Sequence, residues 1–307
     1  MKKVFQYIGY LYFRFFIFLV RITPFKLLYF FSDILSFLIF KVARYRTKVV
    51  DKNLKMCFPN KSENELKQIK SKFYQHFTDI LLESFKGYTL PVEKLAKRYE
   101  FVDKSVLENY HKQGKSVVIA FSHYGNWEWA TQTVLYEHSH KMAALYKPMR
   151  NIYINNYIKK CREARGTYLC PIEKTKYMFN MRNNQCMGFV MLGDQNPSNS
   201  RKGFWVNFLG IDTCVLHGIE MYSKMFNLPI VYFESRKVAR GYYKQYLSEL
   251  IDDPSKCQPG EISEKYMKKV EETLINAPEY WLWSHKRWKK QRDQNGEVVD
   301  SGFYKNL

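Results

Sequence analysis

The chain has 307 residues, enough to bury one large core or two modest ones. Its 49 lysines and arginines against 29 aspartates and glutamates give a formal charge of +20, which argues against cationic partners. It favours anionic ones: nucleic acid, an anionic membrane surface, phosphorylated lipids or an acidic carrier protein. Aromatic residues, mostly Phe and Tyr, make up 17%, which suits an interfacial protein as well as it suits stacking on bases, so composition does not choose between them. Cys57, Cys161, Cys170, Cys186, Cys214 and Cys257 form no C-x-x-C pair. They read as reduced, buried thiols on the cytoplasmic side, with no metal site expected.

Residues 4–20 are almost wholly apolar and aromatic, broken by Arg14, and a second apolar stretch over residues 25–40 contains Lys26 and Asp33. Neither offers the 18 or so uncharged residues of a secure span. A helix lying in the membrane interface, or a short span whose Arg14 snorkels, fits better, with an amphipathic core helix as the plainer alternative. Arg14 and the lack of a small-x-small cleavage site before Thr23-Pro24 argue against a cleaved signal peptide. Residues 41–55 follow with Arg44, Arg46, Lys48 and Lys52, a basic collar suited to an anionic leaflet. The expected division is a membrane-associated segment over residues 1–58 and one globular domain over residues 59–307.

Pro59 closes one element, and Ser62 with Glu65 forms a capping box that opens a helix over residues 63–88. Leu66, Ile69, Phe73, Phe77, Ile80, Leu81 and Phe85 recur there at helical spacing, the mark of a core face. Gln113-Gly114-Lys115-Ser116 is not a P-loop, because position 109 is Asn where Gly is required and the motif precedes the strand instead of following it.

That strand opens the most informative stretch, V-V-I-A-F-S-H-Y-G-N-W-E over residues 117–128. A continuous apolar run ends abruptly in small and polar residues, as for a strand buried on both faces. His123 and Glu128 are five positions apart, about 140° on one helix, so they meet only if His123 sits in the turn before it. Gly125 as a flexible turn residue and Asn126 as N-cap place the helix start near Trp127. A histidine at such a turn, steadied by a carboxylate on the next helix, suits a general base. Glu128 is expected to hold the ring's tautomer. A hydrogen-bonded pair with no chemistry is the plain alternative.

Strands and helices then alternate as in an α/β domain. Strands are expected over residues 141–146, 186–192, 204–209 and 230–234, with an edge strand over 242–250. Helices are expected over residues 127–136, 153–164, 174–182, 216–226 and 262–274. No internal repeat or low-complexity segment interrupts them.

The His block S-H-Y-G-N-W-E resembles the first signature of the late acyltransferases of lipid A synthesis, which are more distantly related to glycerolipid acyltransferases with H-x-x-x-x-D. The N-L-K-M-C-F-P segment from Asn53 is similar to the region that precedes that signature. Three further blocks resemble the family in order. Leu145-Tyr146-Lys147-Pro148-Met149-Arg150-Asn151 is similar to its Y-R-P-x-x-N segment, with Lys147 unable to give an arginine's bidentate fork. Gly193-Asp194-Gln195 with Phe208-Leu209-Gly210 and Thr213 resembles its D-Q block, although the Thr run before the next helix shrinks to Thr213-Cys214-Val215. The stretch from Tyr280 to Lys289 resembles the closing W-x-W-x-H-R-R-F-K block.

The resemblance implies a mixed central sheet flanked by helices, with an apolar N-terminal segment, at the cytoplasmic face of a bacterial inner membrane. It implies transfer of a fatty acyl chain from acyl carrier protein thioester to a hydroxyl of a lipid A precursor, a phosphorylated glycolipid. No metal or other cofactor and no nucleic acid is expected. His123 and Glu128 are the expected base and orienting acid, with backbone N–H groups near Gly125 and Asn126 as oxyanion or turn support. Lys147, Arg150, Arg201, Lys202 and Arg287, with neighbouring Lys286 and Lys289, are candidates to hold lipid phosphate or the acidic carrier. Asp194, with Gln195 and Asn196 beside it, is placed at the cleft because it ends a buried strand. Trp281, Trp283 and Trp288 pack in the domain or rest in the bilayer interface. An acyltransferase for another lysolipid, or a non-catalytic basic protein, are the alternatives.

Overall fold

The structure, a computed structural model, describes residues 2–133, 139–181, 185–197, 199–200 and 203–305. The first apolar stretch is one helix, α1 (Lys2–Ile22), in which only Ile17 and Val20 are buried. Val4, Phe5, Ile8, Leu11, Tyr12 and Phe15 are left exposed. Among the described helices it is the one long and apolar enough to cross a membrane. Thr23-Pro24 ends it, since Pro24 has no N–H to continue the ladder and serves as N-cap of α2 (Phe25–Phe37). Helix α2 runs into a π-helical turn, Leu38–Val42, before α3 (Thr47–Cys57). Of the two charges inside the second apolar stretch, Asp33 has a protein partner: Arg240 donates to Asp33 at 2.6 Å and to Asp79 at 2.7 Å. Helix α2 is thereby tied to the protein body through α4 (Glu63–Gly87), which carries Asp79. The capping box forms as expected at the start of α4, with Glu65 N donating to Ser62 Oγ and Ser62 N to Glu65 Oε2.

Beyond α4 come α5 (Val92–Ala96), β1 (Tyr99–Phe101), α6 (Ser105–Lys112), β2 (Val117–Phe121), α7 (Trp127–Thr133), β3 (Lys141–Tyr146), α8 (Ile152–Glu163) and β4 (Tyr168–Pro171). They are followed by α9 (Thr175–Asn180), β5 (Met187–Leu192), β6 (Phe204–Phe208), β7 (Ile211–Val215), α10 (Gly218–Phe226), β8 (Ile230–Ala239), β9 (Tyr242–Ile251), α11 (Glu261–Asn276), β10 (Lys290–Arg292) and β11 (Val298–Asp300). Residues 134–136 and 182, placed in helices by the sequence, lie outside the described residues.

Seven strands form one sheet in the order β1-β9-β8-β2-β5-β3-β4. Strands β8, β2, β5, β3 and β4 are mutually parallel, while β9 runs antiparallel to β8 and β1 follows β9, so the sheet is mixed. Every residue of the central β2 is buried. Val118 and Ala120 join one core with Ile219 of α10 and Tyr266 and Val270 of α11. Val117, Ile119 and Phe121 join a second core with Leu107 of α6 and Trp129 of α7. Helices thus cover both faces, each fully buried aliphatic contributing about 1.5–3 kcal/mol by leaving water.

Two expectations differ in detail. Strand β9 is not at the edge: it lies between β8 and β1, but β1 pairs only with Tyr243–Gln245, so the remainder of β9 keeps the half-exposed alternation of an edge. Thr213 and Cys214 are not themselves at the helix start, since α10 begins at Gly218. They lie in β7, which pairs with β6 in a separate two-stranded ribbon. The six cysteines are free, with Cys57, Cys170 and Cys214 buried and the others half-buried.

Candidate active site

Strands β2 and β5 are parallel neighbours in register, Phe121 opposite Leu192. The residues two places beyond each strand, His123 and Asp194, therefore emerge side by side at the carboxyl edge of the sheet, where open α/β sheets bind ligands. Their contact is direct: His123 Nδ1 lies 2.7 Å from Asp194 Oδ1, and the His123 backbone N–H donates to Asp194 Oδ2 at 2.9 Å. Trp281 Nε1 donates to the same Oδ2 at 2.8 Å. Burial alone would push the Asp194 carboxyl up, but the His123 ring, its amide and the Trp281 indole favour the anion, and the net shift is downward. An ionised carboxylate only accepts, so His123 Nδ1 carries the proton and Nε2 is left with a lone pair. Gln195 Nε2 lies 3.1 Å from that Nε2. The His123 side chain keeps 19% of its exposure against 1% for Asp194. The carboxylate is therefore walled in while the imidazole faces an opening.

The turn carrying His123 is held by three elements. Gly125 has φ +62°, and a Cβ there would collide with Ser235, so the position requires glycine. Tyr124 bridges Trp281, with Gly125 N donating to Tyr280 O and Leu282 N to His123 O. Asn126 caps α7 by accepting from Trp129 N at 2.9 Å, and its amide donates to Glu83 at 2.7 Å. These groups support the turn. The Gly125 N–H is already spent on a carbonyl, so it is not free for an oxyanion.

Tyr266 of α11, absent from the residues that sequence singled out, ties the two strand ends together. Its hydroxyl donates to Phe121 O at 2.7 Å and accepts from Gly193 N at 3.1 Å. In Tyr266→Phe both buried backbone groups lose their partner, a cost of about 1–3 kcal/mol. The expected results are a lower urea midpoint and, because His123 and Asp194 sit just past these two groups, a fall in turnover on the order of tenfold or more.

Glu128 is not at His123 Nδ1. Its Oε2 accepts from Arg162 of α8 at 2.5 Å and from the Tyr88 hydroxyl at 3.2 Å. The carboxylate on the histidine nitrogen is Asp194 instead, because Glu128 enters α7 and is turned toward α8. Arg162 and Tyr88 were not singled out from sequence, since nothing in their local pattern marks them.

Arg287 is not a surface cation. Its side chain is among the most deeply buried, 1% exposed, and Nε, Nη1 and Nη2 have no hydrogen-bond partner among the described residues. Burial lowers its pKa to about 10, with Asp194 the largest opposing influence. A guanidinium enclosed in this way does not reach a lipid phosphate, which corrects its assignment as a substrate contact. Lys147 and Arg150 are exposed in the loop after β3, which Gln6 of α1 grips by donating to Arg150 O and accepting from Asn151. Arg201 and Lys202 lie outside the described residues. Asn196 and Lys289 line a cleft of about 550 Å3 that begins one residue beyond Gln195. Trp281, Trp283 and Trp288 are buried, which settles them as packing: Trp283 Nε1 donates to Pro278 O and Trp288 Nε1 to Thr213 Oγ1. Among the described residues no group of three or more His, Cys, Asp or Glu side chains is placed to hold a metal ion.

His285, in the same closing block, is held near pKa 4 by burial, against an ordinary 6.5. An imidazole kept neutral in the fold but free to charge when unfolded stabilises the protein above pH 6.5, and that stability is lost as pH falls from 6.5 toward 4. Allowing for its partial exposure, the loss is about 1–3 kcal/mol. Urea midpoints measured from pH 7 to pH 4 are expected to fall, and His285→Gln to flatten part of the slope.

A mixed α/β sheet with a carboxylate-held histidine at its carboxyl edge is an arrangement suited to an enzyme. The chain matches the sequence profile of the bacterial lipid A biosynthesis acyltransferases over residues 2–290, and it belongs to that family. It is 24% identical over 279 residues to the lipid A biosynthesis lauroyltransferase of Escherichia coli (strain K12), covering 88% of each chain. It is 22% identical over 278 residues to a lipid A biosynthesis acyltransferase of Haemophilus influenzae, covering 88% of this chain and 84% of the relative.

Proposed function

We propose that the protein transfers a fatty acyl chain from an acyl carrier protein thioester to a hydroxyl of a lipid A precursor at a membrane surface, with His123 as general base and Asp194 as the group that orients it. The observation that carries this reading is the 2.7 Å contact between Asp194 and His123 Nδ1, which leaves the lone pair on Nε2 of a side chain that keeps 19% of its exposure. The acceptor hydroxyl takes the place opposite Nε2 and gives up its proton there as its oxygen attacks the thioester carbonyl. The Gln195 carboxamide, displaced from Nε2, is at hand to donate to the tetrahedral oxyanion. Collapse breaks the carbon–sulfur bond, and the imidazolium returns its proton to the departing thiolate. Glu128 is committed to Arg162 and Tyr88 and takes no part in orienting the ring.

Lys147, Arg150 and the Asn196–Lys289 cleft supply cation and amide donors for acceptor phosphate, and the net charge of +20 favours an acidic carrier. The exposed apolar side of α1 provides the contact with lipid. Purified protein assayed with carrier thioesters of several chain lengths against a panel of lipid acceptors tests the proposal. Turnover with a lipid A precursor supports it. Turnover with another lysolipid alone moves the substrate while keeping the base, and turnover with none overturns it. In cells, lipid mass spectrometry of a deletion strain is expected to show loss of one secondary acyl chain.

A further inference from the structure

A second cavity, of about 730 Å3, lies between α1, the end of α4 and α8. Its walls carry Arg14, Lys160 and Arg165 and not one carboxylate. None of the three cations forms an ion pair with a described carboxylate, although Lys159 and Glu163 on the same α8 do pair. Such an excess of positive charge in a concave site is electrostatically unfinished and attracts an anion.

Two of the cations are also held in place. Arg14 interrupts an otherwise apolar helix, and its guanidinium donates to the Tyr10 hydroxyl at 3.0 Å and lies 4.7 Å from the centre of the Tyr157 ring, on the α8 side. Arg165 spends Nη2 on the carbonyls of Gly87, at 2.5 Å, and Leu90, at 2.8 Å, which fixes its plane, while Nη1 is buried without a partner among the described residues. Two held guanidiniums and an exposed ammonium are a donor set that suits a phosphate ester.

The surroundings identify the rest of the ligand. Beside the cavity runs the helix whose Phe5, Ile8, Leu11, Tyr12 and Phe15 are exposed. A water-soluble phosphate compound gains nothing from such a surface, whereas acyl chains do. We infer that this cavity, whose walls include none of His123, Asp194 and Gln195, binds the phosphate-ester headgroup of a membrane lipid, with the lipid's chains against α1.

The test is equilibrium binding of a short-chain phosphatidic acid, below its micellar concentration, to the full chain in non-ionic detergent. Wild-type protein is expected to bind it, and the Arg14→Gln/Lys160→Gln double variant to bind at least tenfold more weakly with an unchanged melting temperature. Lys160→Glu, at an exposed position that leaves the core alone, is expected to weaken binding likewise. His123→Ala is expected to bind as wild type does, so loss of catalysis and loss of this site are told apart. Unchanged affinity in both cation variants would overturn the site, and inorganic phosphate binding as tightly as the lipid would overturn its assignment to a lipid.

Discussion

His123→Ala is expected to reduce acyl transfer by roughly 10²–10⁴-fold, the span that a positioned general base supplies. The fold is expected to persist because the substitution keeps what His123 contributes to architecture. Its backbone N–H still donates to Asp194 and its carbonyl still accepts from Leu282. Asp194 also retains the Trp281 indole, so the buried carboxylate is not stripped of donors. Membrane association, which the proposal assigns to α1, is expected to be unaffected. Circular dichroism and flotation with vesicles, beside an acyl-transfer assay, separate lost chemistry from lost structure. Wild-type turnover in this variant would remove His123 from the mechanism.

Asp194→Asn is expected to be nearly as damaging, about 10³–10⁴-fold, with almost no change in shape. The asparagine oxygen can still accept from the His123 amide and the Trp281 indole, but its NH2 then faces Nδ1. Two donors cannot share that contact, so the ring moves its proton to Nε2 and the basic nitrogen turns inward. The variant also loses a pH dependence. The lowered Asp194 pKa contributes stability that is present above the ordinary carboxylate range and lost as pH falls through the folded value, and the neutral amide does not titrate. Glu128→Gln behaves differently, because it leaves Nδ1 on Asp194 and acts by unpairing Arg162. Its pH–rate profile keeps the wild-type form even where turnover falls. Nitrogen NMR of the His123 ring distinguishes the two variants, with Nδ1–H in wild type and in Glu128→Gln, and Nε2–H in Asp194→Asn.

What sequence reveals about this site is what local physics encodes. The apolar run of β2, the polar break after it, the N-cap at Asn126 and the capping box at Ser62 each involve neighbours in the chain, and each forms where the residues predict. The pairing of His123 with Asp194 spans 71 positions and depends on β2 and β5 being parallel neighbours in register, which no periodicity records. Glu128 shows the converse. It is close to His123 in sequence, but the rotation of α7 gives it to Arg162, 34 positions on. Strands β1 and β4 are too short, three and four residues, to stand out as runs. Arg287 sits in a basic block that looks like surface, yet its neighbours Trp283 and Trp288 draw the backbone into the core and take the guanidinium with it.

The most direct measurement is the single-turnover rate of acyl transfer from carrier thioester to lipid acceptor by Asp194→Asn and wild type, with lipid binding measured in parallel. A rate at least about 10³-fold lower at undiminished binding is the expected result. A rate within a few-fold of wild type would mean that the carboxylate behind His123 does not set the base, and that acyl transfer runs on other residues.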